Sequence, residues 1–320
     1  MTSPRVDIVL PIYNGVRYLA RAIESALAQT YPHYEIIAVN DGSRDGSSEI
    51  VRRYLGSGRI RYVEQANQGV ANARNTGIAH SSGKFIALLD QDDVWLPDKL
   101  EKQVAYMEAH PEVALLHARV ACINGEGREI DCKGWMYVDG ACGYCAERLL
   151  AGNRIAPLTV LIRRSCLDEV GTFRQAFAPA DDWHLWLRIA VRYPLGFLDE
   201  VVGHYRVHDS NESKNLLKMK TAEIAVIESF CDSFPNEFQH MNRWVIESKL
   251  VGLHERAAEM LAAADRASEA AALRRKATRM KFTSLWYYLG RLSFLLSHKQ
   301  QSAILWYWYR IRSLFTSTRH

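Results

Sequence analysis

The sequence predicts an α/β fold in which a mostly parallel central sheet is flanked by helices and followed by a helical C-terminal extension. Short apolar runs, of which 85–89 is the clearest, have the length and composition of strands buried on both faces of a parallel sheet. They alternate with segments whose apolar residues recur at helical spacing, which is the pattern of βαβ units. After about residue 216 the chain is helix-rich, with an alanine-rich stretch at 257–272, and this predicts the extension.

The elements of the first half follow one another closely along the chain. A strand from residue 6 ends in Pro11 and a turn, and apolar residues at helical spacing within 18–28 predict the helix that follows. The remaining predicted elements are a strand at 34–40, a helix from about 48, a strand at 60–63, a helix at 72–80 and a strand at 84–89. Three strand ends carry Asn14, Asp41 and Asp90, and we expect these polar groups to converge on one edge of the sheet.

Three carboxylates follow the apolar run at 85–89. Asp90 and Asp92 would share a face if the strand continued, and a turn would bring Asp93 near them. Like charges this close raise one another's pKa unless a cation lies among them, and oxygen ligands suit Mg²⁺ or Mn²⁺. Such an ion in turn suits a diphosphate-bearing substrate. The alternative is that these acidic residues only begin a loop, with Asp93 near the start of the next helix.

The composition is that of a globular protein with an appended region, because 48% of the 320 residues are hydrophobic. The net charge of +4 is too mild to indicate a nucleic-acid partner. No apolar run reaches the roughly 18–20 residues that span a bilayer. Motif residues already begin in the first strand, so we expect no signal peptide and a cytoplasmic location. Cys142 and Cys145 form one Cys-x-x-Cys without a second pair, and we expect all six cysteines to be reduced thiols.

Four short motifs occur in order along the first part of the chain. They are Pro11-Ile12-Tyr13-Asn14, Val39-Asn40-Asp41-Gly42-Ser43, Asn67-Gln68-Gly69 with Ala73-Arg74-Asn75 and Gly77, and Asp90-Gln91-Asp92-Asp93. In order and spacing the chain resembles the family 2 glycosyltransferases across about residues 6–213. The resemblance implies the GT-A fold and transfer from a nucleotide sugar with inversion at the anomeric carbon. The implied catalytic domain is 1–215, with a nucleotide-binding half at 1–115 and an acceptor- and sugar-binding half at 116–215, followed by the helical region 216–320.

The resemblance places the nucleotide against residues of the first strand ends. Asp41 would accept a hydrogen bond from a uracil-type base or a ribose hydroxyl, whereas its alternative is to shape an Asp-Gly-Ser turn. Pro11 and Tyr13 would pack against the base, with Asn14 in the same loop. Arg74 resembles the family arginine that approaches the nucleotide, and its alternative is a solvated cation on a helix.

In this family the first carboxylate of the Asp-x-Asp motif lies near the ribose, and the second coordinates the metal that bridges the two phosphates. These roles fall on Asp90 and Asp92, with Asp93 in support. The segment Tyr205-Arg206-Val207-His208 resembles a further family motif. His208 would therefore complete the metal site and Arg206 would contact the diphosphate, although a lone histidine is more often structural. An imidazole ligand favours Mn²⁺ over Mg²⁺.

An inverting transferase also needs a general base that takes the proton of the acceptor hydroxyl. Residues 181–182 resemble the family's Glu-Asp motif, with Asp181 in place of the usual Glu, and Asp182 falls on the position of the base. The charge of Asp181 would raise the pKa of Asp182, whereas the start of a helix would lower it. The alternative is a plain N-cap pair of carboxylates.

The sequence thus predicts a metal-dependent inverting glycosyltransferase that moves a sugar from a UDP- or dTDP-linked donor to a glycan or lipid-linked acceptor, in surface polysaccharide biosynthesis. One alternative is a nucleotidyltransferase, although the first strand ends in Pro-Ile-Tyr-Asn in place of a basic phosphate-activating signature. A second is a catalytically inactive nucleotide-sugar-binding scaffold protein. Aromatic and arginine residues at 282–289 and 304–312 fit helices lying on the inner membrane face, and the alternative is packing against the catalytic domain or a second subunit of a homo-oligomer.

Overall fold

We describe residues 3–132 and 140–293 of a computed structural model, with side chains described as far as residue 281. The predicted membrane contact through 282–289 and 304–312 lies outside these side chains. The backbone of 282–289 is helical.

The strands of the described chain form one mixed sheet. They are β1 (Val6–Ile12), β2 (Tyr34–Asp41), β3 (Ile60–Gln65), β4 (Phe85–Leu88), β5 (Val94–Trp95), β6 (Leu115–Ile123), β7 (Glu129–Ile130), β8 (Leu161–Arg163) and β9 (Leu195–Arg206). Their order is β3-β2-β1-β4-β8-β6-β9-β5, with β7 paired to β6. The strands β3, β2, β1 and β4 are mutually parallel, β8 is antiparallel to both of its neighbours, and β9 is parallel to β6. The predicted α/β fold with helices around a central sheet is confirmed.

Helices connect these strands and continue beyond them. They are α1 (Leu19–Leu27), α2 (Ser47–Tyr54), α3 (Val70–Ala79), α4 (Lys99–Ala109), α5 (Ala146–Leu150), α6 (Arg164–Val170), α7 (Asp181–Arg192), α8 (Leu216–Ser233), α9 (Pro235–Gln239), α10 (Arg243–Ala263) and α11 (Ala267–Ser293). The face of α1 that its apolar spacing predicts is the buried one, at Leu19, Ala22, Ile23 and Ala26. Within the described ranges, no helix combines the length and the apolar character needed to cross a bilayer.

The parallel half of the sheet places three polar strand ends at one edge. Strands β1, β2 and β4 run in the same direction in the register Val6 with Tyr34 and Val6 with Phe85. Asn14 follows β1, Asp41 ends β2 and Asp90 lies two residues after β4. Their expected convergence follows from this topology, since parallel strands end at the same edge of a sheet.

Helix α3 lies very close to β1 at Gly77. A Cβ atom added to Gly77 would lie 2.4 Å from Cγ1 of Val9, well inside van der Waals contact. Glycine therefore permits this approach, and the approach fixes the depth at which α3 carries Arg74 towards the strand ends.

A disulfide closes the hairpin of β6 and β7. Cys122 on β6 and Cys132, two residues after β7, are bonded, with their Cα atoms 5.4 Å apart. The expectation that all six cysteines are reduced is therefore wrong for this pair. The hairpin pairing of Cys122 with Ile130 brings the two cysteines to bonding distance, and their separation along the sequence does not reveal that pairing.

The chain divides into two compact units, Met1–Met241 and Asn242–His320. Helices α8 and α9 belong to the first unit by this division, and the end of the catalytic region at residue 215 stays a prediction. In the second unit α10 and α11 pack against each other, and Lys281 Nζ lies 2.6 Å from Glu255 Oε1.

Candidate active site

The loop after β1 is tied to the loop after β2. Asn14 adopts a left-handed φ of 48°, and its Oδ1 accepts a hydrogen bond from the Arg44 backbone N at 2.9 Å. The Asn14 backbone N donates to Ser43 Oγ at 3.1 Å. In this loop Tyr13 is 48% exposed, whereas Pro11 is buried within β1. Of the two residues predicted to pack against a base, Tyr13 is therefore the one whose side chain is accessible to a ligand.

Asp41 is a buried carboxylate that organises the loop before α3. Its Oδ1 accepts from Gln65 Nε2 at 2.7 Å and from the Gln68 backbone N at 2.9 Å. Its Oδ2 accepts from the Gly69 backbone N at 2.8 Å. Three of the roughly four acceptor positions of the carboxylate are therefore filled within the protein. Asp41 shapes the loop of the third sequence motif, and its contact with a nucleotide stays a prediction.

Arg74 joins carboxylates from two distant sequence motifs. Its Nη1 lies 3.0 Å from Asp181 Oδ2, and its Nη2 lies 2.9 Å from Asp90 Oδ1. The side chain is 6% exposed, so the alternative of a solvated helix cation does not hold. Burial opposes the charge of Arg74, but Asp90 and Asp181 outweigh burial and raise its pKa above the usual value. The guanidinium is thus a permanent positive charge between the two halves of the site.

Asp92 and His208 lie together, as the two motifs implied. His208 Nε2 is 2.7 Å from Asp92 Oδ2, although the residues are separated by 116 positions in the sequence. The other ring nitrogen, Nδ1, lies 2.8 Å from Ser210 Oγ. The ring of Tyr18 also packs on the imidazole, with ring centroids 4.9 Å apart. The imidazole is therefore held by contacts on several sides, with one nitrogen turned to the carboxylate.

Asp93 and Arg206 support the turn that carries Asp92. Asp93 is buried, and its Oδ1 accepts from the Arg206 backbone N at 3.0 Å. Burial, followed by the charges of Asp92 and Asp90, raises the pKa of Asp93 well above the usual value. The Arg206 side chain donates through Nε to the Asp92 backbone O at 2.7 Å and through Nη1 to the Asn124 backbone O at 3.1 Å. Two nitrogen atoms of the Arg206 side chain therefore bind backbone carbonyl groups. A contact between Arg206 and the diphosphate stays a prediction.

The donor set at Asp92 and His208 suits a divalent ion that shares its coordination with a diphosphate. Among the described residues, no group of three or more His, Cys, Asp or Glu side chains is placed to hold an ion by itself. Mg²⁺ and related ions commonly take one or two carboxylates from the protein and the rest from phosphates and water. One carboxylate and one imidazole within 2.7 Å of each other fit this kind of site, and the imidazole favours Mn²⁺.

Asp182 is the second residue of α7, and its carboxylate is nearly enclosed. Its Oδ1 accepts from the Trp183 backbone N at 2.6 Å, and its Oδ2 accepts from Asn153 Nδ2 at 3.1 Å. Burial, followed by the neighbouring charge of Asp181, raises the pKa of Asp182 to about 7, while Arg74 opposes the rise. Burial also raises the pKa of Asp181, against the nearby charge of Arg74. A carboxylate of this kind takes a proton readily near neutral pH, which is what a general base requires.

Two residues of the site were not predicted from the sequence. Asn153 is an exposed loop residue whose amide reaches Asp182, and its Oδ1 accepts from the Ile155 backbone N at 3.2 Å. Gln91 lies between the two motif carboxylates, and its side chain binds the backbone of Tyr13. The loop around Asn153 has no periodic pattern to mark it. For Gln91 the signal is its place within the motif Asp90-Gln91-Asp92-Asp93.

Comparison with protein families gives a match that covers half of the chain. Residues 7–166 match the model of glycosyl transferase family 2. An uncharacterised glycosyltransferase of Rickettsia prowazekii is 31% identical over 222 residues, which cover 67% of this chain and 68% of that protein. One of Rickettsia felis is 33% identical over 222 residues, covering 67% of this chain but only 36% of that protein. This chain therefore spans about a third of the length of the R. felis relative.

A relative from Escherichia coli bears a specific name. The UDP-Glc:alpha-D-GlcNAc-diphosphoundecaprenol beta-1,3-glucosyltransferase WfgD is 28% identical over 230 residues, which cover 71% of this chain and 87% of that protein.

Many solved structures resemble this fold, and two of them come from Staphylococcus aureus and Pyrobaculum calidifontis. Staphylococcus aureus TarS 1–349 in complex with UDP-GlcNAc has a TM-score of 0.58 at 15% identity, covering 86% of this chain and 92% of that one. The mannosyltransferase PcManGT from Pyrobaculum calidifontis, in complex with GDP-Man and Mn²⁺, has a TM-score of 0.61 at 20% identity, covering 92% of this chain and 81% of that one. At these identities the likeness is one of fold.

Proposed function

This chain belongs to the family 2 glycosyltransferases and has the GT-A fold, and on that premise we propose that it is a metal-dependent, inverting enzyme for a UDP- or dTDP-linked sugar. The acceptor is a hydroxyl group of a glycan or of a lipid-linked saccharide. The observation that carries the proposal is the pairing of Arg74 with both Asp90 and Asp181. Through it the carboxylate turn at 90–93 and the helix of Asp182 share one site.

Asp182 is the general base of the proposed reaction. The acceptor oxygen forms a bond to the anomeric carbon as the bond from that carbon to the diphosphate breaks. The leaving diphosphate keeps the bonding electron pair, and the acceptor proton passes to Asp182. The raised pKa of Asp182, about 7, lets the carboxylate hold that proton until solvent removes it.

Asp92 and His208 would hold the divalent ion. When bound, the ion supplies Lewis-acid stabilisation of the charge that builds up on the departing diphosphate. Asp90, which Arg74 fixes, would face the ribose, and the exposed Tyr13 would pack on the base. Asp93 and Arg206 would keep the turn in place through the contacts of their backbone and side chains.

One relative supports a proposal for the acceptor and the cellular role. WfgD is named for a diphosphoundecaprenol acceptor, which supports a lipid-linked acceptor and a role in surface polysaccharide biosynthesis for this chain. An enzyme with such an acceptor works at a membrane surface, and we propose a cytoplasmic enzyme with peripheral contact through 282–289 and 304–312. Sedimentation with anionic liposomes at low and high salt tests this contact, since charge attraction to headgroups weakens with salt. Protein that stays in the supernatant at low salt, or sediments alone as an oligomer, would contradict it.

A panel of nucleotide sugars tests the function itself. Each donor is added with Mn²⁺ in a thermal-shift assay, because a ligand at about 100 times its Kd adds about 2.7 kcal/mol of stability. The donor that shifts the wild type should shift Asp182→Asn equally, while transfer by the variant falls about 10²- to 10⁴-fold, as expected for loss of a general base. A wild type that binds a donor but neither transfers nor hydrolyses it would indicate a scaffold protein.

A further inference from the structure

Gln91 links the carboxylate turn at 90–93 to the loop after β1. Its Oε1 accepts from the Tyr13 backbone N at 2.8 Å, and its Nε2 donates to the Tyr13 backbone O at 3.0 Å. A backbone N–H only donates and a carbonyl only accepts, so the orientation of the amide is fixed by its partners. One side chain therefore satisfies both polar groups of a residue separated from it by 78 positions.

Gly15 provides the space that the Gln91 amide occupies. A Cβ atom at Gly15 would lie 2.2 Å from Gln91 Oε1 and 2.6 Å from its Cδ. The Gly15 backbone N meanwhile donates to Ser47 Oγ at 3.0 Å, which holds the loop from the α2 side. Residues 13–15 thus sit between the Gln91 amide and the loop that precedes α2. The absence of a side chain at position 15 is a condition of the Gln91 contact.

The two ends of this link lie beside different parts of the candidate site. Asp92, next to Gln91, is paired with His208, and Tyr13 carries the exposed ring of the loop. We propose that Gln91 is a positioning residue that couples binding of the divalent ion at Asp92 to binding of the nucleotide base at Tyr13. This inference rests on the proposed function, since it takes the ion and the base to be ligands of these residues.

The coupling has a physical cause in preorganisation. A loop held in its binding conformation loses less conformational entropy when the ligand arrives, and an ion that orders the turn at 90–93 would order the loop through Gln91. Ion and nucleotide would then strengthen each other's binding by the same factor. Without the amide the ion still binds the diphosphate, but its presence no longer orders the loop.

Calorimetry with UDP, with and without Mn²⁺, measures this factor in four proteins: wild type, Gln91→Ala, Gly15→Ala and the double variant. We expect each single variant to lose about tenfold of UDP affinity in Mn²⁺, equal to about 1.4 kcal/mol, and much less in EDTA. In the double variant the methyl group introduced at position 15 has the space that the amide left, so its loss should match that of Gln91→Ala alone. Gln91→Glu keeps the acceptor oxygen but loses the donor nitrogen. The factor by which Mn²⁺ strengthens its UDP binding should lie between those of the wild type and Gln91→Ala.

The exposed Gln239→Ala in α9 is the matched control and should keep the wild-type factor. If Mn²⁺ leaves UDP binding by the wild type unchanged, the metal dependence in the proposed function fails. If the wild type shows the coupling and Gln91→Ala keeps the same factor, the inference on Gln91 is wrong, even if the variant melts earlier. Additive losses in the double variant would equally overturn it.

Discussion

Arg74 Nη1 lies 3.0 Å from Asp181 Oδ2, and the two residues are 107 positions apart in the sequence. This ion pair joins α3 to the first turn of α7, which carries the proposed base Asp182. Because Arg74 also pairs with Asp90, its positive charge stabilises a carboxylate on each side of the proposed site. It opposes the rise in the pKa of Asp182 that burial and Asp181 cause. The arginine thus has an electrostatic role in addition to the predicted nucleotide contact.

Replacement of Arg74 should be strongly destabilising. Arg74→Met leaves the buried Asp181 and the partly exposed Asp90 without their counter-charge. Loss of one partner of a buried ion pair costs about 3–5 kcal/mol of unfolding free energy. Urea unfolding at about pH 7.5 measures it. Arg74→Lys, which keeps the charge but not the two-sided geometry, should lose less. Exposed ion pairs contribute less than about 1 kcal/mol to stability. A loss of that size for Arg74→Met would show that these ion pairs contribute little to the stability of the fold.

The metal dependence of nucleotide binding should reside in Asp92. We expect wild-type UDP affinity to fall when EDTA removes the divalent ion, and Asp92→Asn to bind UDP equally with and without the ion. The reason is that an amide is a much poorer ligand than a carboxylate for a hard cation. Asp232→Asn, an exposed residue of α8, is the control and should behave as wild type. Equal UDP binding with and without EDTA in the wild type would contradict the prediction.

Asp182 should make stability and activity depend on pH in opposite directions. Its folded-state pKa of about 7 lies above the ordinary 3.8, so its stabilising contribution belongs to the protonated form and is lost as pH rises through about 7. Activity needs the unprotonated form and should rise over the same range. The loss of stability begins above about pH 3.8, so Asp182→Asn should already be somewhat more stable than wild type at about pH 5. Its advantage should grow by about 1 kcal/mol or more between about pH 5 and about pH 8.5. Urea unfolding of both proteins at the two pH values measures this difference in the free energy of unfolding. A gain in stability by Asp182→Asn that is larger at the lower pH would refute the prediction.

Asn153 should act on transfer through Asp182. Its Nδ2 donates to the carboxylate and so favours the charged form. Asn153→Ala should move the rising limb of the pH–rate profile to higher pH and lower kcat, because a hydrogen bond to a charged group contributes about 1.5–3 kcal/mol. The Kd for UDP should stay within about twofold, since in the described part of the chain the Asn153 side chain binds Asp182 and none of the residues proposed to bind the nucleotide. Asn236→Ala, exposed on α9, is the control. An unchanged pH profile, or a weaker UDP affinity with unchanged kcat, would assign Asn153 a different role.

Local rules accounted for the framework of the site. Strand ends at Asn14, Asp41 and Asp90 follow from parallel pairing, and the pairing of Asp92 with His208 agrees with the two motifs that carry them. The rest depends on contacts between loops that no periodic pattern marks. Tertiary packing decides which loop groups donate hydrogen bonds to Asp41 and which amide contacts Asp182. It also decides which cysteines form the disulfide. The role proposed for Gln91 therefore depends on contacts that only the three-dimensional structure reveals.

The approach of α3 to β1 at Gly77 has a consequence for genetics. Gly77→Ala would press one methyl group against Val9, and such overpacking costs about 1–3 kcal/mol. In a domain of this size each kcal/mol lowers Tm by about 2–4 °C, so the substitution should give a conditional allele. Cells that carry it would keep the transferase activity when cool and lose it on warming, with every chemical group of the site intact. Activity that persists at the higher temperature would mean that β1 shifts far enough to accommodate the methyl group. A temperature shift in such a strain would reveal the intermediate that accumulates, and with it the natural acceptor.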